Sequence, residues 1–194
     1  MTTVVVPFAG AEGKTRLEAP SRARRELSLA MLGDVLAAAV AVGRTLVVTP
    51  DEAGAAVARD EGAEAVGDPG GGQGGAVRTA LAHADGQTLV VNADLPCVVP
   101  DDLRALLAAV PDHGLALVEA LDGTTNALAL SGPDIFEPLY GPDSAGRFLA
   151  LPVETVSVVI PNLAEDVDTL VDLERLQLRC GPRTQARLAT LASA

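Results

Sequence analysis

"QTLVVNADLP", residues 87–96, decides how the chain is read. Its Leu-Val-Val centre is a short, uninterrupted apolar run closed by polar residues, the pattern of a strand covered on both faces. Asp94 stands just beyond its carboxyl end. Downstream, "PDDLRALLAAVP" (residues 100–111) continues as a helix with Pro100 near its first turn. Upstream, the glycine-rich loop "DPGGGQGG" (68–75) leads into a helix over 76–84. The same alternation extends to the start of the chain. "TTVVVPF" (2–8) is a strand, and residues 21–43 form a helix with Ser21 as N-cap. "RTLVVTP" (44–50) is the next strand. Residues 51–62 form a second helix, with Asp51 and Glu52 suited to its first turn, and "AEAVGD" (63–68) is a short third strand.

Strand–helix alternation of this kind predicts an α/β fold with a mixed, mostly parallel sheet and helices on both faces. Past residue 114 the rhythm changes. "GLALVEAL" (114–121) and "NALALSGP" (126–133) are strands separated by a turn at Asp122 and Gly123. Residues 136–151 form a loop with a short helix, and 153–161 a final strand. Residues 168–181 form the closing helix, capped by Asp168 or Thr169 and followed by Gly181. With no internal repeat, linker or low-complexity tail, residues 1–194 are expected to form one domain.

Apolar residues make up 48% of the chain but aromatics only 2%, so the core must be built from Ala, Val and Leu. No apolar run approaches the ~20 residues of a membrane span, and "MTTVVVPF" lacks the basic region of a secretory signal. Cys97 and Cys180 lie far apart in sequence, with neither metal-ligand spacing nor a disulfide framework. A cytoplasmic location is expected. The net charge of −12 disfavours nucleic acid and anionic membrane as partners. The cations are instead concentrated locally. Lys14, the chain's only lysine, stands close to Arg16, Arg22, Arg24 and Arg25.

That cluster begins in "PFAGAEGKTRL" (residues 7–17), which resembles a phosphate loop. A Walker A loop would need glycine at position 8, where Phe8 stands, so the P-loop ATPase reading fails on spacing. A glycine loop between a first parallel strand and a first helix still lies at the carboxyl edge of the sheet, where open α/β folds bind ligands. Gly10 and Gly13 let backbone approach a phosphate, and Lys14 and Arg16 neutralise it; a solvated basic turn is the alternative. Asp94 is at the same edge. Asp166 and Asp168, two apart in "EDVDT", would point the same way in extended chain. Three converging carboxylates suggest Mg²⁺, which takes oxygen ligands. Taken singly, Asp94 reads as a turn former and Asp168 as an N-cap. In the middle glycine loop, Gln73 and the backbone at Gly74 are candidates to read a nucleobase edge, against a plain surface turn. His83 and His113 read as surface residues, and no arrangement for a covalent nucleophile is present.

"VVVPFAGAEGKTRL", "GGGQGGAV", "VVNADLP", "GTTNALAL", "FEPLYGPDSAGR", "EDVDTLVDLERL" and "GPRT" occur in the order seen in the 2-phospho-L-lactate / phosphoenolpyruvate guanylyltransferases. The chain resembles that family from residue 3 to about residue 188. The resemblance implies a Rossmann-like nucleotidyltransferase fold and a role in making the precursor of coenzyme F-420. It implies that Lys14 and Arg16 hold the GTP triphosphate and that Asp94, Asp166 and Asp168 carry Mg²⁺. Thr125, Gly141 and Ser144 match the residues contacting the phosphorylated acid, and Arg147 is the candidate for its carboxylate. Where many members carry Leu-Asn, this chain has "GQGGAV", and "AGRFLAL" follows Ser144 where a more polar stretch is usual. The acid is therefore left open among phosphoenolpyruvate, 2-phospho-L-lactate and 3-phosphoglycerate. Other nucleotidyltransferases of the same fold (molybdenum-cofactor or sugar-phosphate type) and a non-catalytic GTP-binding regulator are the competing readings. Apolar strands and an Ala-rich helix leave room for a homodimer.

Overall fold

The structure, a computed structural model, describes residues 2–11, 17 and 20–191. Its centre is a seven-stranded sheet in the order β3-β2-β1-β4-β6-β5-β7, formed by β1 (Thr3–Pro7), β2 (Arg44–Thr49), β3 (Glu64–Gly67), β4 (Thr88–Val91), β5 (Gly114–Glu119), β6 (Thr125–Leu130) and β7 (Glu154–Ser157). β1, β2, β3 and β4 pair in parallel, as do β5 and β7. Only β6 is reversed, lying antiparallel between β4 and β5. The mixed, mostly parallel sheet expected from the sequence is therefore present.

The strands alternate their residues between two cores, as the two-residue period of a strand requires. Val4, Val6, Val47, Leu89, Val91, Ala127 and Ala129 face one side. Val5, Leu46, Val48, Val90, Leu128 and Leu130 face the other. The first face is covered by α1 (Ser21–Val40), α2 (Glu52–Asp60), α4 (Pro100–Ala108) and the short α6 (Pro161–Ala164). The second is covered by α3 (Gly72–Leu81) and α5 (Ser144–Leu149). With so few aromatics the first face is closed by Ala, Val and Leu around the single ring of Phe8, while the other three of the four rings, Phe136, Tyr140 and Phe148, pack tilted and edge-on against one another on the second.

Three differences from the sequence expectations matter for the site. Residues 68–75 were expected as loop, yet α3 begins at Gly72 and takes Gln73 and Gly74 into its first turn. Gly70, Gly71 and Gly72 all have positive φ, which side-chain-bearing residues avoid, so the run turns tightly enough to start the helix early. The expected closing helix is shorter, α7 (Leu170–Leu176), with Thr169 and Asp172 forming a reciprocal capping box. Beyond it comes a further helix, α8 (Pro182–Leu191), packed along α1.

Asp34, in the middle of α1 and 4% exposed, explains that docking. Its carboxylate accepts from the backbone N–H of Arg183 at 3.0 Å and of Thr184 at 2.9 Å, capping the start of α8 from another helix. Gly181 is required there by closeness, since an added Cβ would lie 2.4 Å from Asp34 Cγ. The Gly181 N–H donates to Pro96 O at 2.7 Å, which brings Cys180 beside Cys97. Far apart in sequence, the two free, buried thiols share a cluster that includes Met31, Val167 and Leu176.

Candidate active site

The carboxyl ends of β1, β2, β3 and β4 and the start of β6 share one edge of the sheet. A cavity of about 400 Å³ opens there, lined among others by Gly10, Ser28, Asp68, Gln73, Asp94 and Asp168. Gly10 follows β1 with φ 111°, a conformation open to glycine. The loop it starts is held by Asp51, whose carboxylate accepts from Ala11 N at 2.9 Å while also capping α2 through Ala53 N at 2.9 Å. Burial works against the charge on Asp51. The amides of Ala11, Ala53 and Gly54 and the Arg25 guanidinium outweigh it, and the carboxyl lies below its usual range. Sequence reading placed Asp51 at the helix start; its second duty on the glycine loop had no local signal. Gly13, Lys14 and Arg16 lie outside the described residues.

Asp94 stands three residues past β4. Its backbone carbonyl accepts from Val167 N at 3.0 Å, which helps hold the segment between α6 and α7 across the sheet edge. Val167 is fully buried, which turns its neighbours Asp166 and Asp168 the other way. One carboxylate oxygen from each of Asp94, Asp166 and Asp168 lies within 4.8 Å of the others. The expected convergence is present. Two unit charges at ~4 Å repel by about 4 kcal/mol at an effective dielectric of 20. Burial, then the Asp94 carboxylate, raises the Asp166 pKa, and a hydrogen bond from Asn126 only partly counters this. A donor set of hard oxygens under mutual repulsion fits a divalent cation, and these three residues would hold it.

A chain of side-chain amides, unforeseen in the sequence, joins this cluster to α3. Gln73 Nε2 donates to Asn92 Oδ1 at 2.7 Å, Asn92 Nδ2 to Asn126 Oδ1 at 3.3 Å, and Asn126 Nδ2 to Asp166 Oδ1 at 3.2 Å. The direction is fixed at both ends. The Asn92 amide also donates to the Thr125 carbonyl at 3.3 Å, which can only accept. Gly74 is buried against Pro138, where an added Cβ would meet Pro138 Cβ at 2.7 Å, while Gly72 and Gln73 line the cavity.

The expected acid-binding residues cluster next to Asn126. Ser144 Oγ donates to Thr125 Oγ1 at 3.1 Å, and both are buried, 0% and 2% exposed. They do not line the cavity described above. Gly141 has φ 115° and lies against Arg147, whose Nη2 donates to Pro142 O at 2.9 Å. Arg147 is exposed, and His83 and His113 lie on the surface as expected. No helix among the described residues is long and apolar enough to cross a membrane.

Residues 25–146 match the family described as the MobA-like NTP transferase domain. The chain is 37% identical over 187 residues to the phosphoenolpyruvate guanylyltransferase of Nocardia farcinica, covering 89% of this chain and 82% of the relative. It is 38% identical over 195 residues to that of Sphaerobacter thermophilus, covering 91% and 93%. Among solved structures, Rv0371C of Mycobacterium tuberculosis in complex with manganese matches with a TM-score of 0.58 and 21% identity. The match covers 90% of this chain and 97% of that one.

Proposed function

The chain belongs to the phosphoenolpyruvate guanylyltransferases within the MobA-like NTP transferases, and from that premise we propose that it transfers GMP from GTP to the phosphate of phosphoenolpyruvate. A phosphate oxygen of the acid attacks the α-phosphorus of GTP, the bond from that phosphorus to the bridging oxygen breaks, and pyrophosphate leaves. The attacking phosphate is already ionised at neutral pH, so no strong base is needed. Catalysis is then a matter of bringing two polyanions together.

The observation that carries this reading is the convergence of Asp94, Asp166 and Asp168 at the rim of the Gly10–Gln73 cavity. These carboxylates would hold Mg²⁺, which when bound supplies charge neutralisation at the phosphates. Manganese accompanies the Mycobacterium tuberculosis neighbour of this fold. Lys14 and Arg16 add positive charge from the glycine loop, and Gly10 and Gly13 keep that loop open to phosphate. Gln73, lining the cavity at the start of α3, is the residue to read a nucleobase edge, with Gly74 buried behind it against Pro138 and not exposed to the cavity. For the phosphorylated acid, Gly141 and Arg147 are the exposed groups, Arg147 taking its carboxylate, while Thr125 and Ser144, buried and bonded to each other, would support that pocket from behind. The product is a precursor of coenzyme F-420, made by a protein working in the cytoplasm.

The test is incubation with GTP, Mg²⁺ and an equimolar mixture of phosphoenolpyruvate, 2-phospho-L-lactate and 3-phosphoglycerate, with products identified by mass spectrometry. The phosphoenolpyruvate adduct with guanosine monophosphate should dominate. No product from the three acids, with pyrophosphate released in a parallel incubation with a sugar phosphate, would overturn the reading in favour of another transferase. GTP binding without pyrophosphate release from any acceptor would make the chain a regulator.

A further inference from the structure

Ser28 sits in the second turn of α1, 3% exposed, among the apolar neighbours Leu27, Met31 and Leu32. A serine inside a helix ordinarily satisfies its hydroxyl on the carbonyl one turn earlier. Here Ser28 Oγ is buried and has no hydrogen-bond partner among the described residues. Alanine would serve this position better on every local ground: it is the stronger helix former, and it leaves no buried polar atom unpaired. A residue that breaks local rules without a structural return marks a place where something else is being met.

The position of the residue indicates what that is. The buried hydroxyls of Tyr140 and Thr184 also lack a partner among the described residues, but neither residue lines the cavity, whereas Ser28 does. α1 covers one face of the sheet and α3 the other, so Ser28 stands on the wall opposite Gln73. It shares the cavity with Gly10, Asp94 and Asp168. With the nucleobase end of the cavity at Gln73, the Ser28 wall faces the phosphate end. We propose that Ser28 is a binding residue for the nucleotide, its Oγ–H donating to an oxygen of the triphosphate chain. The proposal rests on reading the cavity as a GTP site.

The experiment compares wild type with Ser28→Ala in three measurements: the thermal midpoint without ligand, calorimetric affinity for GTP with Mg²⁺, and affinity for guanosine, which has no phosphate. The variant should melt at or above the wild-type midpoint, bind GTP about tenfold more weakly, and bind guanosine unchanged. A midpoint several degrees lower would show that the hydroxyl has a structural partner and overturn the proposal. Equal GTP affinity overturns it as well, and an equal loss for guanosine places Ser28 on the nucleoside instead. Failure of the wild type to bind GTP at all overturns the nucleotide reading itself, and this assignment with it.

Discussion

Asn126 Nδ2 donates to Asp166 Oδ1 at 3.2 Å, and Asn126 itself is 2% exposed. The amide therefore orients one carboxylate of the acidic cluster from behind. Partners of this kind typically contribute 10–100-fold to metal affinity. Asn126→Ala should weaken Mn²⁺ binding by roughly that factor, read by paramagnetic resonance of the free ion in protein without nucleotide. Wild-type affinity in the variant would remove Asn126 from this role.

Asp166 gives a pH dependence with a definite sign. Its raised pKa, caused by burial and by the Asp94 carboxylate, means the folded protein holds that proton more tightly than the unfolded chain does. Stability of the metal-free protein should then fall as pH rises from the ordinary carboxylate pKa of about 3.9 through the raised one. Asp166→Asn removes that dependence. At neutral pH the metal-free variant should melt above wild type, the gap closing near pH ~4. Mg²⁺ should no longer raise its midpoint. Calorimetry across pH decides; a variant that melts lower throughout contradicts the cause given.

Asp34 is expected to matter for the fold and not for chemistry. Asp34→Ala removes two backbone caps from α8 and an interaction with Arg183, whose Nη1 lies 3.8 Å away. The loss should be about 2–3 kcal/mol, measurable by urea unfolding. The variant's GTP affinity below the transition should match wild type. A stability change under about 0.5 kcal/mol, the usual range for surface substitutions, would mean that α8 docks by other means.

Arg147 should act on one substrate alone. Its exposed guanidinium lies beside Gly141 and donates to Pro142 O. Arg147→Ala is expected to raise KM for phosphoenolpyruvate by about tenfold, as for a lost charge-assisted hydrogen bond, with KM for GTP unchanged. Steady-state kinetics with each substrate varied in turn would show it, and a rise in KM for GTP would move Arg147 to the nucleotide.

The parts legible in the sequence were those written in local pattern. β4 and Asp94 stand out because an apolar run ends in polar residues, and the i, i+2 spacing of Asp166 and Asp168 survives with Val167 buried between them. Illegible were the relations that need a register. Asn92 meets Asn126 because β4 and β6 pair with Val91 opposite Ala127. Asp34 meets α8 across a sequence separation of 149 residues, and no periodicity encodes that. The α3 start was misplaced because glycines argue against helix by propensity, while here their left-handed backbone is what launches it.

The reversal of β6 has an evolutionary corollary. In an all-parallel sheet, only loops leaving the carboxyl tips of strands can be lengthened or rewritten to change ligand preference. Here Thr125 and Asn126 open a strand instead of closing one, so the hairpin over residues 120–124, which leaves the carboxyl tip of β5, borders the acidic cluster. Its Gly123 carbonyl accepts from Ala145 N at 3.2 Å, beside Ser144. Insertions in that hairpin are expected to re-tune acceptor choice, and so are changes in the connection from Leu130 to α5, which returns to the site through Pro138 and Gly141.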